Sequence, residues 1–505
     1  MSENPKMSGD AASAAPAELA SRPIGRRRLI QGSAALGAAG ALSYPKNVFS
    51  QTEKAHPLAG KSIHMSILGV SGWLPSSLSV DMSPDFARYA KDRYGYQVSF
   101  SFAGAPFGAL FQKGATSFAT HSQEYNIMIS DSQWLGALAT PKWIVKLNDI
   151  IARDPALNIE WYAPVIRAAY QVYPDGTNNL WGFPQVGDII GIFVRKDWLE
   201  APGEDEAFRA KHGRSLPKTW EDWEALDFPK WREVIAFFNR PEKGYHGIAM
   251  QYSREYDACS CPVMSWMRSK GGDIWDPKTG QIEGIYNTPV NAEAMDEYKS
   301  MLKYNPPGAT NYFIAEVVDA FTQGKVFAAW QWVATGATMI PKALEGKVMV
   351  VPPPSFMNKT TGKLHRNYII GGQPWVINAF NDPAHMRVTL DFIKWWYLPE
   401  TQHDYLKRGG MPCDKATLTR PDFDGIYPWN RTYKYMLRHS SDFWHDPKYS
   451  EMLSIQQEAF TGFMTGQVAG ARHALDYIAC KQQAILFDEG VATKQPSGAC
   501  AGIRL

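Results

Sequence analysis

Ile63, Met65 and Ile67 alternate with polar neighbours, a period of two that marks a strand with one face turned inward. Ser83-Pro84-Asp85 then opens a helix, with proline early and an acid in the first turn. Phe86, Tyr89, Ala90 and Tyr94 line one face of it, and Gly95 ends it. Val98, Phe100 and Phe102 alternate again as a second strand. Strand, helix and strand within about forty residues form a βαβ unit, so the two strands are expected to run parallel. This start commits the chain to an α/β fold. The stretch 69–75, carrying Trp73, is predicted to be a loop.

A short buried strand follows at 126–129 and runs into Ser130-Asp131-Ser132-Gln133-Trp134. In open α/β sheets, ligands bind beyond the carboxyl ends of strands, where Asp131 and Trp134 lie. Asp131 is placed either to accept hydroxyl hydrogen bonds or to cap the helix after it, and one residue can do both. Over 180–193, Pro184, Gly187 and Gly191 punctuate an apolar run, as in a crossing between domains followed by a new strand. Gln185 and Asp188 sit in that crossing. Trp220, Trp223 and Trp231 fall in a polar helical stretch and are read as packing residues. A strand over 247–252 places Tyr252, Tyr256 and Asp257 at or beyond its end.

The stretch 317–332 is the most ligand-like. Val317, Val318 and Phe321 share a helical face, Gly324 breaks the helix, and 326–329 is an apolar buried strand ending in Trp330-Gln331-Trp332. Indole rings cover the apolar faces of a sugar, and an amide pairs with its hydroxyls. The alternative is that either tryptophan is core. A further strand lies within 366–379, where Gly371-Gly372 permits close backbone approach and Trp375 follows Pro374. Asp382-Pro383 caps and starts a helix that Pro399 stops, a second helix runs to Gly409-Gly410, and two more helices complete the tail.

At 505 residues the chain exceeds one compact core, and its net charge of +2, with no dense basic run past the N-terminus, argues against nucleic acid as a partner. The 18 Trp and 23 Tyr lean toward a carbohydrate or other ring-shaped ligand. The first residues are polar and read as disordered. Arg26-Arg27-Arg28-Leu29-Ile30 and the Ala- and Gly-rich run 32–42 then resemble a twin-arginine export signal, too short to span a bilayer as a stable anchor. The expected location is the periplasm. Of five cysteines, Cys480 with Cys500 would staple the tail; the pairing among them and Cys259, Cys261 and Cys413 is open. The sequence holds no Cys-x-x-Cys-His, Gly-x-Gly-x-x-Gly, His-Glu-x-x-His or Gly-x-Ser-x-Gly, and no catalytic residue, metal site or cofactor is assigned, although carboxylate pairs for glycoside hydrolysis carry no local signature by which sequence would exclude them.

From about Ser62 onward the chain resembles an extracellular solute-binding protein of an ABC importer, of the sugar-binding type (family 1). The features that carry the resemblance are the export signal, the strand ending at Asp131 and Trp134, the helix, "QGK" and strand leading to "WQW", and the segment "GGQPWVINAFNDPAHMRVTLDFIKWW" followed by "KRGGMP". The resemblance implies two α/β lobes joined by hinge strands around a ligand cleft. The expected boundaries are 1–57 for the disordered start and signal, 58–183 plus 366–410 for one lobe, and 184–352 plus 411–505 for the other. It implies a monomeric receptor, not an enzyme, that hands a sugar or polyol to inner-membrane permease subunits. Its binding groups map to Asp131, Trp134, Asp188, Tyr252, Tyr256, Trp330, Trp332, Gly372 and Trp375, with Trp444 as a ring from the tail. The chain departs from the family in extra length around 202–232 and after 412. A periplasmic hydrolase or cofactor-dependent enzyme is the competing class, and a polyamine or organic acid the competing ligand.

Overall fold

The computed structural model describes residues 56–505. The twin-arginine stretch lies outside them. Strands β1 (Ser62–Val70) and β2 (Gln97–Ala105) pair in parallel, as the βαβ pattern requires, and β3 (Ile127–Ile129) joins β1 in parallel on its other side. Two helices, not one, connect β1 to β2: Leu74–Asp81 and Ser83–Tyr94. The first was expected to be loop. Its sequence, LPSSLSVD, has too weak an apolar face to announce a helix, but Pro75 sits in its first turn, where a missing N–H costs nothing. Gly95 ends the second helix at φ 77, a conformation that glycine adopts without strain.

The strand that organises the molecule is β4 (Gly182–Arg195), fourteen residues and buried almost throughout. The punctuated run was expected to be a crossing followed by a strand; it is one unbroken strand. Next in order come β5 (His246–Ala249), β6 (Val326–Trp332) and β7 (Val348–Val351), the small hairpin of β8 (Phe356–Met357) and β9 (Leu364–His365), then β10 (Tyr368–Ile377) and β11 (Ser440–Ser441). The first part of β4, Gly182 to Ile189, runs antiparallel to β10, which continues the sheet to β3. Its last part, Ile190 to Arg195, runs antiparallel to β6 and β7. The strand order is β2-β1-β3-β10-β4-β6-β5. One strand thus belongs to two half-sheets and joins the two lobes.

The first half-sheet is covered by Ser83–Tyr94 and Pro383–Trp396, which bury Phe86, Phe392 and Trp396 against Met65, Ile67 and Trp375. Asp382 caps the second of these helices, accepting from the Ala384 and His385 N–H groups at 2.8 and 2.9 Å. In the second half, β6 is buried on both faces, as its apolar run predicts. Val317 and Phe321 of the helix Ile314–Thr322 pack inward, and Gly324 at φ 69 turns the chain into β6. Trp223 and Trp231 are core residues, and Trp220 donates to the Thr432 hydroxyl at 2.8 Å. The tail helices Tyr449–Thr465 and Ala471–Asp488 pack on each other and on Ser260–Ser269 and Pro289–Ser300, with Ser260 donating to Gln457 at 2.8 Å. Cys480 and Cys500 form a disulfide, while Cys259, Cys261 and Cys413 are buried thiols. Among the described residues, no helix is long and apolar enough to cross a membrane.

Candidate functional site

The carboxyl ends of β1, β2, β3, β5 and β6 converge on one pocket. Trp73 follows β1, Phe107 follows β2, Asp131 and Gln133 follow β3, Tyr256 and Asp257 lie beyond β5, and Trp332 is the last residue of β6. Asp188 of β4 and the Gly371-Gly372-Gln373 run of β10 form the floor, and Phe313 and Ile314 close one wall. The cavity itself is about 50 Å³, and with the open solvent space at its mouth about 480 Å³.

Asp131 does both things that its position allows. Its Oδ1 accepts from the Gln133 N–H at 3.2 Å, capping the short turn Ser132–Trp134, and its Oδ2 accepts from the Tyr256 hydroxyl at 3.0 Å. That second bond crosses the cleft, from the end of β3 in one half-sheet to the segment after β5 in the other. Tyr256 holds φ 44, in the left-handed region that costs a bulky residue conformational energy. Asp188 lies opposite Gly371 in the β4–β10 ladder, and its Oδ1 accepts from the Ile189 and Ala334 N–H groups at 2.8 and 3.0 Å. Gly371 has the Trp332 ring against it so closely that a Cβ there would lie 2.7 Å from the indole. Gly372, at φ 98, lets β10 approach the Val186 carbonyl and the Tyr170 hydroxyl.

The electrostatics are one-sided. Burial, with the neighbouring Asp257 and Asp442 carboxylates, pushes Asp131 up to about 8. Burial likewise lifts Asp257 to about 6, against the Cys261 thiol that donates to it at 3.3 Å. Burial raises Asp188 well above the usual carboxylate range despite the backbone N–H groups of Ala334, Ile189 and Val333 that favour its charged form. A carboxyl kept out of water without a cation holds its proton, because the charged form has lost its solvent. Shifted acids in a cleft mark a place where a ligand is handled.

Five of the expected residues line this pocket: Asp131, Asp188, Tyr256, Trp332 and Gly372. Trp134 backs the wall instead, its ring centroid 6.2 Å from that of Tyr256, and faces a neighbouring groove with Phe111 and Arg254. Four others lie elsewhere. β5 stops at Ala249 rather than at 252, so Tyr252 turns inward under Tyr298, their centroids 4.8 Å apart. β6 runs on to Trp332, which leaves Trp330 two residues deep, between Trp266 and Tyr368. Trp375 faces the other core, against Phe392 and Trp396. Trp444 is fully buried beside Phe443 and Tyr449. The residues not anticipated are Trp73, Phe107, Gln133, Phe313, Ile314 and Gln373. The strand-end rule, applied to β1 and β2 as it was to β3, would have flagged Trp73 and Phe107.

No curated protein matches this sequence. The family model described as bacterial extracellular solute-binding protein matches residues 76–228. Solved structures match along nearly the whole described chain. An ABC transporter solute-binding protein from Agrobacterium radiobacter, in complex with ribitol, superposes with a TM-score of 0.66 at 21% identity, over 85% of this chain and 100% of its own.

The chain has the two-lobed fold of a bacterial extracellular solute-binding protein.

Maltose-bound MalE3 of T. maritima matches equally well, with a TM-score of 0.66 at 18% identity over 84% of this chain and 100% of its own. A solute-binding protein of an ABC transporter from Agrobacterium vitis with bound D-mannitol gives 0.63 at 16% identity, over 85% and 99%. These matches bear out the resemblance to solute-binding proteins that the sequence carries, and the pocket described above lies in the cleft between the lobes.

Proposed function

We propose that the protein is the periplasmic substrate-binding component of an ABC importer, exported by the twin-arginine route, which captures a carbohydrate or polyol and delivers it to inner-membrane permease subunits. The observation that carries this is the composition of the cleft. Ring faces from Trp73, Phe107, Tyr256 and Trp332 meet carboxyl and amide groups that come from the strand ends of both half-sheets. Rings cover the C–H faces of a polyol while polar groups read its hydroxyls. Closing the lobes around such a ligand removes both from water, so an analogue lacking one hydroxyl leaves a buried partner unsatisfied. The solved relatives described with ribitol, mannitol and maltose share the fold and support this ligand class. The lobes proposed are 58–183 with 366–410, and 184–352 with 411–505, and the receptor acts as a monomer that performs no chemistry.

The test is thermal unfolding of the mature protein against a panel of sugars, polyols, polyamines and organic acids. A ligand at about a hundred times its Kd adds roughly 2.7 kcal/mol to the folded state. A sugar or polyol that raises Tm and is recovered unchanged supports the proposal. Turnover of the compound, or no shift from any sugar or polyol, refutes it.

A further inference from the structure

Three carboxyl groups, Asp131, Asp188 and Asp257, reach one pocket, and no lysine or arginine lines it. No cation stands among the groups that act on any of the three. The pocket also holds a separate, unused acceptor. Gln133 is 2% exposed, and its Oε1 has no hydrogen-bond partner among the described residues. A buried amide oxygen left without a donor is costly, so this atom points to a donor that the protein does not supply. The remaining wall is aromatic, with Trp73, Tyr256, Phe313 and Trp332 facing the same space.

We infer that the captured solute carries a protonated amine, which the Asp131, Asp188 and Asp257 carboxylates and the Gln133 carbonyl receive among the ring faces of the cleft. The inference rests on the receptor reading above and narrows its ligand to a polyhydroxylated amine, an amino sugar or amino polyol. An ammonium group has three donors and no acceptor, and so suits a site rich in acceptors. Its charge lets the acids stay ionised in a dry cleft, which a neutral hydroxyl cannot do. Ring faces attract a cation through their quadrupole and gain strength as water leaves. A buried donor of the pocket without a partner among the described residues, Nε2 of Gln373, remains for a hydroxyl oxygen of the same ligand. Gln373 is oriented for that by Ser76, whose hydroxyl donates to its Oε1.

The experiment compares matched pairs that differ only by an amine in place of a hydroxyl: glucosamine with glucose, and glucamine with sorbitol. Titration calorimetry and thermal shift are run at neutral pH on the wild type, Asp257→Asn and Asp131→Asn. In at least one pair the amine should bind about tenfold more tightly or better, the scale of one charge-assisted contact plus a cation over a ring. Asp257→Asn should remove most of that preference, and Asp131→Asn serves in its place if the first variant melts at room temperature. A neutral member that binds as tightly as its amine overturns the inference and leaves the polyol receptor standing. So does a preference that survives both substitutions. Absence of binding by all four compounds and by every other sugar and polyol brings down the receptor reading, and this inference with it.

Discussion

Substituting Gly371 tests the cleft more cleanly than removing a ring. A Cβ at this position would lie 2.7 Å from Cζ3 of Trp332, 3.0 Å from Cε3 and 3.1 Å from Cη2. The backbone of Gly371 is outside the left-handed region, so alanine is strained only by the indole. The ring must retreat by roughly 0.8–1.3 Å to regain ordinary carbon–carbon separation. It is a rigid body at the end of a strand, and only 6% of it is exposed, so it has little slack. Overpacking of this kind costs about 1–3 kcal/mol, and the fold should survive it. Gly371→Ala should therefore lower Tm by a few degrees. It should also weaken binding of the solute by roughly tenfold, which is ~1.4 kcal/mol, near the value of one aromatic contact. Calorimetric melting and titration read the two effects separately. An alanine variant with unchanged Tm and unchanged affinity would show that Trp332 is neither held against β10 nor part of the binding wall.

Tyr256→Phe removes the hydroxyl that spans the cleft to Asp131, a bond with a net value of about 0.5–1.5 kcal/mol, so the unliganded protein should show a larger radius of gyration by small-angle scattering; an unchanged radius would mean that the bond does not hold the lobes together. Stability of the unliganded protein should fall from pH 7 to pH 9. Asp131, raised to about 8, keeps its proton in the fold where the unfolded chain has lost it. His445, pulled down by burial but raised overall to about 10 by Asp175 and Asp442, keeps its proton too. The folded state thus binds more protons across this window, and a Tm that rises with pH would contradict the argument. Cys480→Ser should cost about 2–4 kcal/mol and expose the C-terminal segment to limited proteolysis, whereas equal protease resistance would leave the disulfide without a structural role. Trp330→Phe should lower Tm and spare affinity, because its ring is core; a selective loss of binding would return it to the site.

Local pattern carried the fold a long way. Period-two strands, the Asp382-Pro383 start, the Gly95 and Gly324 stops and the parallel pairing of β1 with β2 all follow from backbone chemistry within a few residues. The short helices after Pro412, at Lys415–Leu418, Phe423–Ile426 and Asn430–Met436, were not legible, since four to seven residues give no periodicity to detect. In the site, Asp131, Asp188, Tyr256, Trp332 and Gly372 reach the pocket because strand ends can be located from sequence. Tyr252 and Trp330 failed by where their strands stop: three residues early for β5, and two residues past Trp330 for β6. Trp375 and Trp444 failed because a ring in a strand centre or before a helix gives no sign of which side it will face. Gln373 did give a sign, as an amide inside the apolar run IIGGQPWVI, where a buried polar side chain calls for a partner.

β4 has one further consequence. It serves as a common ruler for two half-sheets, with Gly182 to Ile189 read against β10 and Ile190 to Arg195 against β6 and β7. Side chains alternate along a strand, so adding or deleting a single residue that no bulge takes up, as Gln185 is taken up opposite Gln373 and Pro374, would turn every later one to the opposite face. Upstream of Asp188, such a change would throw the whole second half out of phase with the first, moving Asp188 itself off the floor. Away from the bulge at Gln185, insertions that other surfaces of this chain absorb in loops find no such outlet along this strand. Change here must come by replacement, one side chain at a time, and each replacement is felt on both sides of the cleft.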